Sequence, residues 1–133
     1  MEKPFIRKPR MYFDVGAHPN NVTFDDGNEL RRNIPWLHYV EARWEYAELD
    51  TIKVDIGDWL VVLSGHNLEP LFQAIEEHTL LRVRAQVGWK TDSEERMMDT
   101  FVKEIRFLKP PAGTPGKRRG QIELSLGLPA GSG

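Results

Sequence analysis

Imidazole is the side chain best suited to proton transfer and metal binding near neutrality, and the chain carries four, His18, His38, His66 and His78. His66 sits in Gly65-His66-Asn67, a turn ahead of apolar residues at helical spacing, where side chains can be placed for catalysis or anion binding. His38, His66 and nearby carboxylates therefore outline one polar pocket, as a small-ligand binder or an enzyme would need. No nucleophile or base stands at a recognisable spacing from either ring, so no catalytic residue is assigned. A plainer role serves each histidine as well. His38 alternates with apolar residues and fits a hydrogen-bonded core position, and His78 near a helix end can act on the helix dipole.

Asp55 and Asp58 could join His38 and His66 around a metal ion, but the H-x-H, HExxH and calcium-loop spacings are missing. Neither a metal nor a cofactor is expected. Asp25-Asp26-Gly27, like the two aspartates around Gly57, suits a tight turn. The glycine spacings of phosphate loops and dinucleotide folds are absent, and Ser64-Gly65 lacks the flanking glycines of a nucleophile elbow. With no cysteine in the chain, disulfides, zinc-thiolate sites and thiol catalysis are excluded, and a reducing cytoplasm is the expected compartment.

Trp36, Trp44, Trp59 and Trp89 make a heavy aromatic load for 133 residues. Tryptophan is enriched at interface hot spots and in stacking sites. Trp89, followed by the polar run Lys90 to Arg96, is the best candidate for an exposed contact, with partial burial at a sheet rim as its plainer reading.

The net charge of −2 conceals an asymmetry. Lys3, Arg7, Lys8 and Arg10 against Glu2 make residues 1–10 net +3, and Lys109, Lys117, Arg118 and Arg119 against Glu123 do the same for 109–133, leaving −8 on the body from Met11 to Leu108. An acidic body repels phosphate polyanions, so nucleic acid is disfavoured as a partner of the fold itself. The basic ends, through Arg7, Lys8, Arg10, Lys117, Arg118 and Arg119, could hold an anion or nucleic acid weakly, or stand simply as solvated flanks. The longest apolar run, Trp59 to Leu63, is far short of the ~20 residues that span a bilayer, and the first ten residues lack the apolar centre of a secretory signal.

The elements that must position these groups follow from hydrophobic rhythm. Ile52, Val54 and Ile56 alternate with Lys53 and Asp55, Gly57-Asp58 turns the chain, and Trp59 to Leu63 runs on as a second strand. Leu68, Leu71, Phe72 and Ile75 then fall at helical spacing, with Asn67 placed as N-cap and Pro70 in the first turn. Leu81, Val83 and Ala85 alternate with Arg82 and Arg84 in a closing strand. Upstream, the pattern predicts a strand from Met11 to Val15, a second from Val22 to Phe24, a two-residue hairpin turn at Asp26-Gly27 and an edge strand from Glu29 to Arg32, interrupted by Ile34-Pro35. Trp36 to Tyr46 reads as one long strand whose inner face holds Trp36, His38, Val40, Ala42, Trp44 and Tyr46. Asp92 and Glu95 have capping-box spacing, which predicts a short helix over 92–98, and Phe101 to Phe107 alternates as a further strand. Pro110 to Gly133 reads as a mobile tail rich in Pro and Gly, with a short strand over Gln121 to Leu126.

Leu63-Ser64-Gly65-His66-Asn67-Leu68, followed by Leu71, Ala74 and Ile75, resembles a G-x-N-L-x-x-L-x-x-A-I pattern in short uncharacterised bacterial proteins. The resemblance covers about a third of the chain, from Asp50 to Gln86, and implies only a hairpin leading into a helix and a closing strand, with no activity attached. The same order of hairpins before a packed helix is similar to bacterial pleckstrin-homology-like domains.

These readings converge on a single α+β domain over residues 11–108, between a basic extended segment (1–10) and the tail (109–133). Its architecture is a mostly antiparallel sheet or partly closed barrel of about six to eight strands with one main helix over 67–78 packed on it. The expected core is Val40, Trp44, Ile52, Val54, Ile56, Val61, Leu63, Leu68, Leu71, Phe72, Ile75, Leu81 and Val83. The function expected first is a non-enzymatic interaction module, contacting another protein or a second copy through an edge strand or an aromatic patch. The alternatives are the pocket around His38 and His66 and the basic ends.

Overall fold

The alternation of Ile52, Val54 and Ile56 is realised as strand β5, Thr51–Ile56, with these three side chains fully buried and the intervening ones half-exposed. The computed structural model describes residues 8–90 and 97–109. Gly57, at φ 63, makes the turn into β6, Trp59–His66, and the two strands pair from Thr51 opposite Ser64 to Ile56 opposite Trp59. β6 has no exposed residue, because its neighbours β5 and β8 cover both its edges and the core covers its inner face.

Eight strands and one α-helix lie among the described residues. The others are β1, Phe13–Val15; β2, Asn21–Asp25; β3, Arg31–Pro35; β4, Tyr39–Arg43; β7, Leu80–Arg84; and β8, Phe101–Leu108, with α1 over Glu69–Glu76. They form two four-stranded sheets, β1-β7-β2-β3 and β4-β5-β6-β8, and no closed barrel. Every pairing is antiparallel except β2 with β7. Val22, Phe24 and Ile34 of the first sheet meet Ile52, Val54, Leu63 and Ile105 of the second in one core, to which α1 adds Leu71, Ala74 and Ile75. Each fully buried branched aliphatic contributes ~2 kcal/mol by leaving water. At one end Arg32 lays its guanidinium over the Trp59 ring, 3.7 Å from its centroid, and Lys109 approaches the same ring at 4.5 Å.

Several expectations need correction. Trp36 to Tyr46 is not one strand: Trp36–His38 forms a 3-10 turn, and the extended part is only Tyr39–Arg43. The register against β5 slips between Tyr39 and Glu41, so Tyr39 and Ala42, not Val40, stand opposite Ile56 and Val54. An extra residue in one strand reverses the parity across it, which is why Val40 is exposed, while His38 is no core histidine because it lies in the 3-10 turn outside the strand. Tyr46, beyond the strand, is 96% exposed. Trp44 and Phe72 pack against the core only partly buried. Leu81 is also outside the core; Leu80 takes its place, where the register of β7 against β1 slips between Asp14 and Val15.

Ile34 and Pro35 do not interrupt the ladder but pair with Val22 and Asn21, proline being tolerated because β3 is an edge strand. The β2–β3 connection is a loop over residues 26–30, not a two-residue turn. The Asp26 carboxylate accepts backbone N–H groups from Asn28, Glu29 and Leu30, and Asp26 N–H donates to the Leu30 carbonyl. The N-terminal strand is shorter than expected, with Met11 reduced to a single bridge to Thr100.

The helix is shorter than 67–78, and Leu68 rather than Asn67 is its N-cap residue. Asn67 has φ 51 and turns its amide away from the helix, donating to the carbonyls of Met97 and Asp99. Pro70 is in the first turn, as the sequence predicts. Most of the expected helix over 92–98, the tail strand Gln121 to Leu126, and the charges Arg7, Lys117, Arg118 and Arg119 lie outside the described residues; Met97 and Met98 form a turn.

Candidate interaction surface

The 3-10 turn brings Trp36 under the end of α1. Its ring is buried, and its Nε1–H donates to the Leu80 carbonyl at 3.1 Å, satisfying the one polar group of the indole. The helix closes above it in a motif that normally calls for glycine. His78 N–H donates to the Ile75 carbonyl and Thr79 N–H to the Ala74 carbonyl, and His78 between them has φ 56. The left-handed backbone swings the imidazole onto Trp36, with ring centroids 4.6 Å apart and planes 13° from parallel. Tyr39 meets the edge of the same imidazole at 4.8 Å and the indole at 5.4 Å. Burial raises the pKa of the Tyr39 hydroxyl above its ordinary value, with Glu41 and Glu76 adding in the same direction.

Large apolar side chains stand in solvent at both ends of β4 and at its bulge. Leu37 is 89% exposed, Val40 45%, and Tyr46 96%. All three flank or belong to β4, which ends its sheet and pairs only with β5 among the described residues. On the face of β4 turned from the core, Glu41 and Arg43 form an ion pair at 2.7 Å, and Arg43 also reaches Asp55 at 2.5 Å. The Asp55 hydrogen bond is the main reason the guanidinium holds its proton even more firmly than usual.

The residues singled out from sequence do not gather. His38 is exposed, and its carbonyl accepts from Gly57 N–H beyond one end of β5. His66 follows Ser64, which pairs with Thr51 at the other end. Six residues of extended chain separate those ends by about 20 Å, so the two rings do not converge on one pocket. The His66 ring instead shares a 2.9 Å hydrogen bond with the Met97 carbonyl. Trp89 is half-buried, edge-on to both Tyr12 and Phe101, which matches the sheet-rim reading of its environment. Lys8 and Arg10 are exposed, but the Arg10 backbone is fixed: its N–H donates to the buried Asp99 carboxylate and its carbonyl accepts from Thr100 N–H.

A groove of about 530 Å³ opens beside this N-terminal segment, lined by Lys8, Pro9, Met11, Asn67, Glu69, Pro70, Met98 and Thr100. Asn67 and Thr100 spend their polar groups on structure, Thr100 Oγ1 donating to the Asn67 carbonyl at 2.6 Å while the Asn67 amide holds Met97 and Asp99. Among the described residues no His, Asp and Glu cluster could hold a metal ion, and no helix is long and apolar enough to cross a membrane. The stacking of His78 on Trp36 and the exposure of Leu37 are what sequence reasoning missed, His78 being read there only as acting on the helix dipole. The only signal for the first was a polar residue closing an amphipathic helix where glycine is usual. No protein-family model, curated protein or solved structure matches the chain.

Proposed function

We propose that this protein is a non-enzymatic interaction module that works by protein contact through the surface along β4 and the end of α1. The observation that carries the reading is the exposure of Leu37, Val40 and Tyr46 along β4 and its two flanks, with an ordered Trp36–His78–Tyr39 stack at the start of the strand. Large apolar side chains held in water cost solvation and ordering, and interfaces recover that cost on contact. The alternative of a pocket around His38 and His66 has no common cavity to support it, and the anion reading keeps only Lys8 and Arg10 among the described residues. The test places a photo-crosslinking phenylalanine analogue at Tyr46 and, as a control, at exposed Asn28, in cells that make the protein. A protein adduct at position 46 and none at 28 is expected; no adduct at 46 would overturn the reading.

A further inference from the structure

The interaction reading leaves the partner open, and the following rests on it. We infer that the partner is a second copy of this chain, joined by antiparallel pairing of β4 with β4 about a twofold axis through Ala42. The edge of β4 turned from β5, which pairs with no other strand among the described residues, carries Glu41 and Arg43 one residue to either side of Ala42, both on the face turned from the core. With Ala42 opposite Ala42 of the partner subunit, each Glu41 faces Arg43 of the partner subunit, so two opposite-charge cross-strand pairs form at once. A twofold at Glu41 or at Arg43 would instead put like charges face to face at the centre, so charge selects this register. Arg43 keeps Asp55 in the pairing, since a guanidinium has five N–H donors.

The apolar residues obey the same symmetry. Leu37 lies five residues before Ala42 and Tyr46 four after it, and they are the two most exposed large apolar side chains described. At about 3.4 Å per extended residue, an upper bound because both lie in turns, the twofold brings each Leu37 level with Tyr46 of the partner subunit to within about one residue. The two sheets β4-β5-β6-β8 then join as one eight-stranded sheet, with Leu37 and Tyr46 covering both ends of the new contact. The other edges fit less well. β1 has three residues, and β3 ends in Pro35 and carries Arg31 and Arg32. β8 repeats the Glu-x-Arg spacing at Glu104 and Arg106, but the Val102 carbonyl at its start already accepts from Gln86 N–H, and the exposed apolar residues described beside it, Met97, Met98 and Leu108, are less exposed than Leu37 and Tyr46.

Sedimentation velocity of the full chain over a concentration series, with circular dichroism to check folding, tests the pairing. Glu41→Arg sets arginine against Arg43 of the partner subunit twice per dimer while leaving an arginine opposite Asp55 within the chain, and is expected to weaken dimerisation roughly tenfold or more. Glu41→Arg combined with Arg43→Glu restores both pairs and sets the new glutamate opposite Lys53, so its dimer should return to within about threefold of the original. Glu104→Arg, the control on β8, should change nothing. A chain monomeric at every concentration, or a dimer indifferent to Glu41→Arg, overturns the inference. A monomer whose position 46 still crosslinks to a different protein overturns the self-pairing and leaves the interaction reading standing; a monomer with no adduct overturns both.

Discussion

At Gly65 the backbone of β6 passes so close to β8 that a side chain has no room. The register slips between Ser64 and Gly65, and a Cβ there would run into the Phe101 carbonyl and come within 2.7 Å of Val102 Cα. Both obstacles are backbone, which cannot rotate aside, so Gly65→Ala should cost about 3 kcal/mol, at the upper end of overpacking effects, read as a fall in the urea midpoint. An unchanged midpoint would mean that the two strands separate here easily. His78 poses the opposite problem, because its left-handed φ of 56 carries a penalty of about 1 kcal/mol for a residue with a Cβ, offset by a stack on Trp36 of similar size. His78→Gly trades one for the other and should stay within about 0.5 kcal/mol of the parent, whereas His78→Ala keeps the strain, loses the stack and should fall by about 1 kcal/mol. Equal effects of the two substitutions would show that the left-handed backbone carries no penalty, and an unchanged His78→Ala would show that the stack contributes nothing. Gly65 and His66, expected in a turn, lie instead in β6 opposite Val102 and Phe101, and the constraint on Gly65 was not legible because the obstructing backbone arrives from 36 residues further along the chain.

Local rhythm decided which elements could be read. β5, β6 and α1 are legible because their periodicity is unbroken and both sides of the chain find the expected surroundings. β4 was misread because one extra residue at Val40 shifts the alternation, and periodicity alone does not reveal an insertion in the ladder. The β2–β3 loop was misread for another reason. Asp26-Gly27 is the sequence of a two-residue turn, yet the Asp26 carboxylate gathers three backbone N–H groups and holds a longer loop closed, while Gly27, at φ 75, lies against the Ala85 carbonyl, where a Cβ would not fit. Those hydrogen bonds, first that from Leu30, lower the pKa of Asp26 below the ordinary carboxylate value. A group whose folded pKa is depressed lends stability above its unfolded pKa and loses it as pH falls through the lowered folded value. Asp26→Asn should therefore flatten the decline of stability on the acid side of the ordinary aspartate range, measured as urea midpoints over a pH series. Parallel profiles for the two proteins would assign the acid loss to other carboxylates.

The whole molecule ties distant segments together in a way that no short window of sequence announces. β7 enters the first sheet between β1 and β2, so Phe13 pairs with Val83, and β8, which closes the second sheet against β6, comes in the chain only after the helix and β7. An α+β fold, with one α-helix among the described residues, was legible from pattern. Its division into two sheets was not, because strand order depends on pairings 35 to 70 residues apart in sequence that carry no local mark. The same topology makes the parts interdependent. The first sheet lacks an inner strand until β7 arrives, and the core draws on both sheets and α1 at once, so neither sheet buries its apolar face alone. Unfolding should then be all-or-none, and folding slow for the chain's size, on the millisecond-to-second scale of folds built from long-range strand pairs. Two variants that keep only Trp36, under the first sheet and the helix end, or only Trp59, in the second sheet, with the other tryptophans changed to phenylalanine, separate the two regions. Within each variant the fluorescence midpoint in urea should coincide with its own far-ultraviolet dichroism midpoint, whatever the variant's absolute stability. A Trp36 signal lost at lower urea than the dichroism, with Trp59 unchanged, would mean that the first sheet peels away while the second persists, and the shared core would then be two cores in contact.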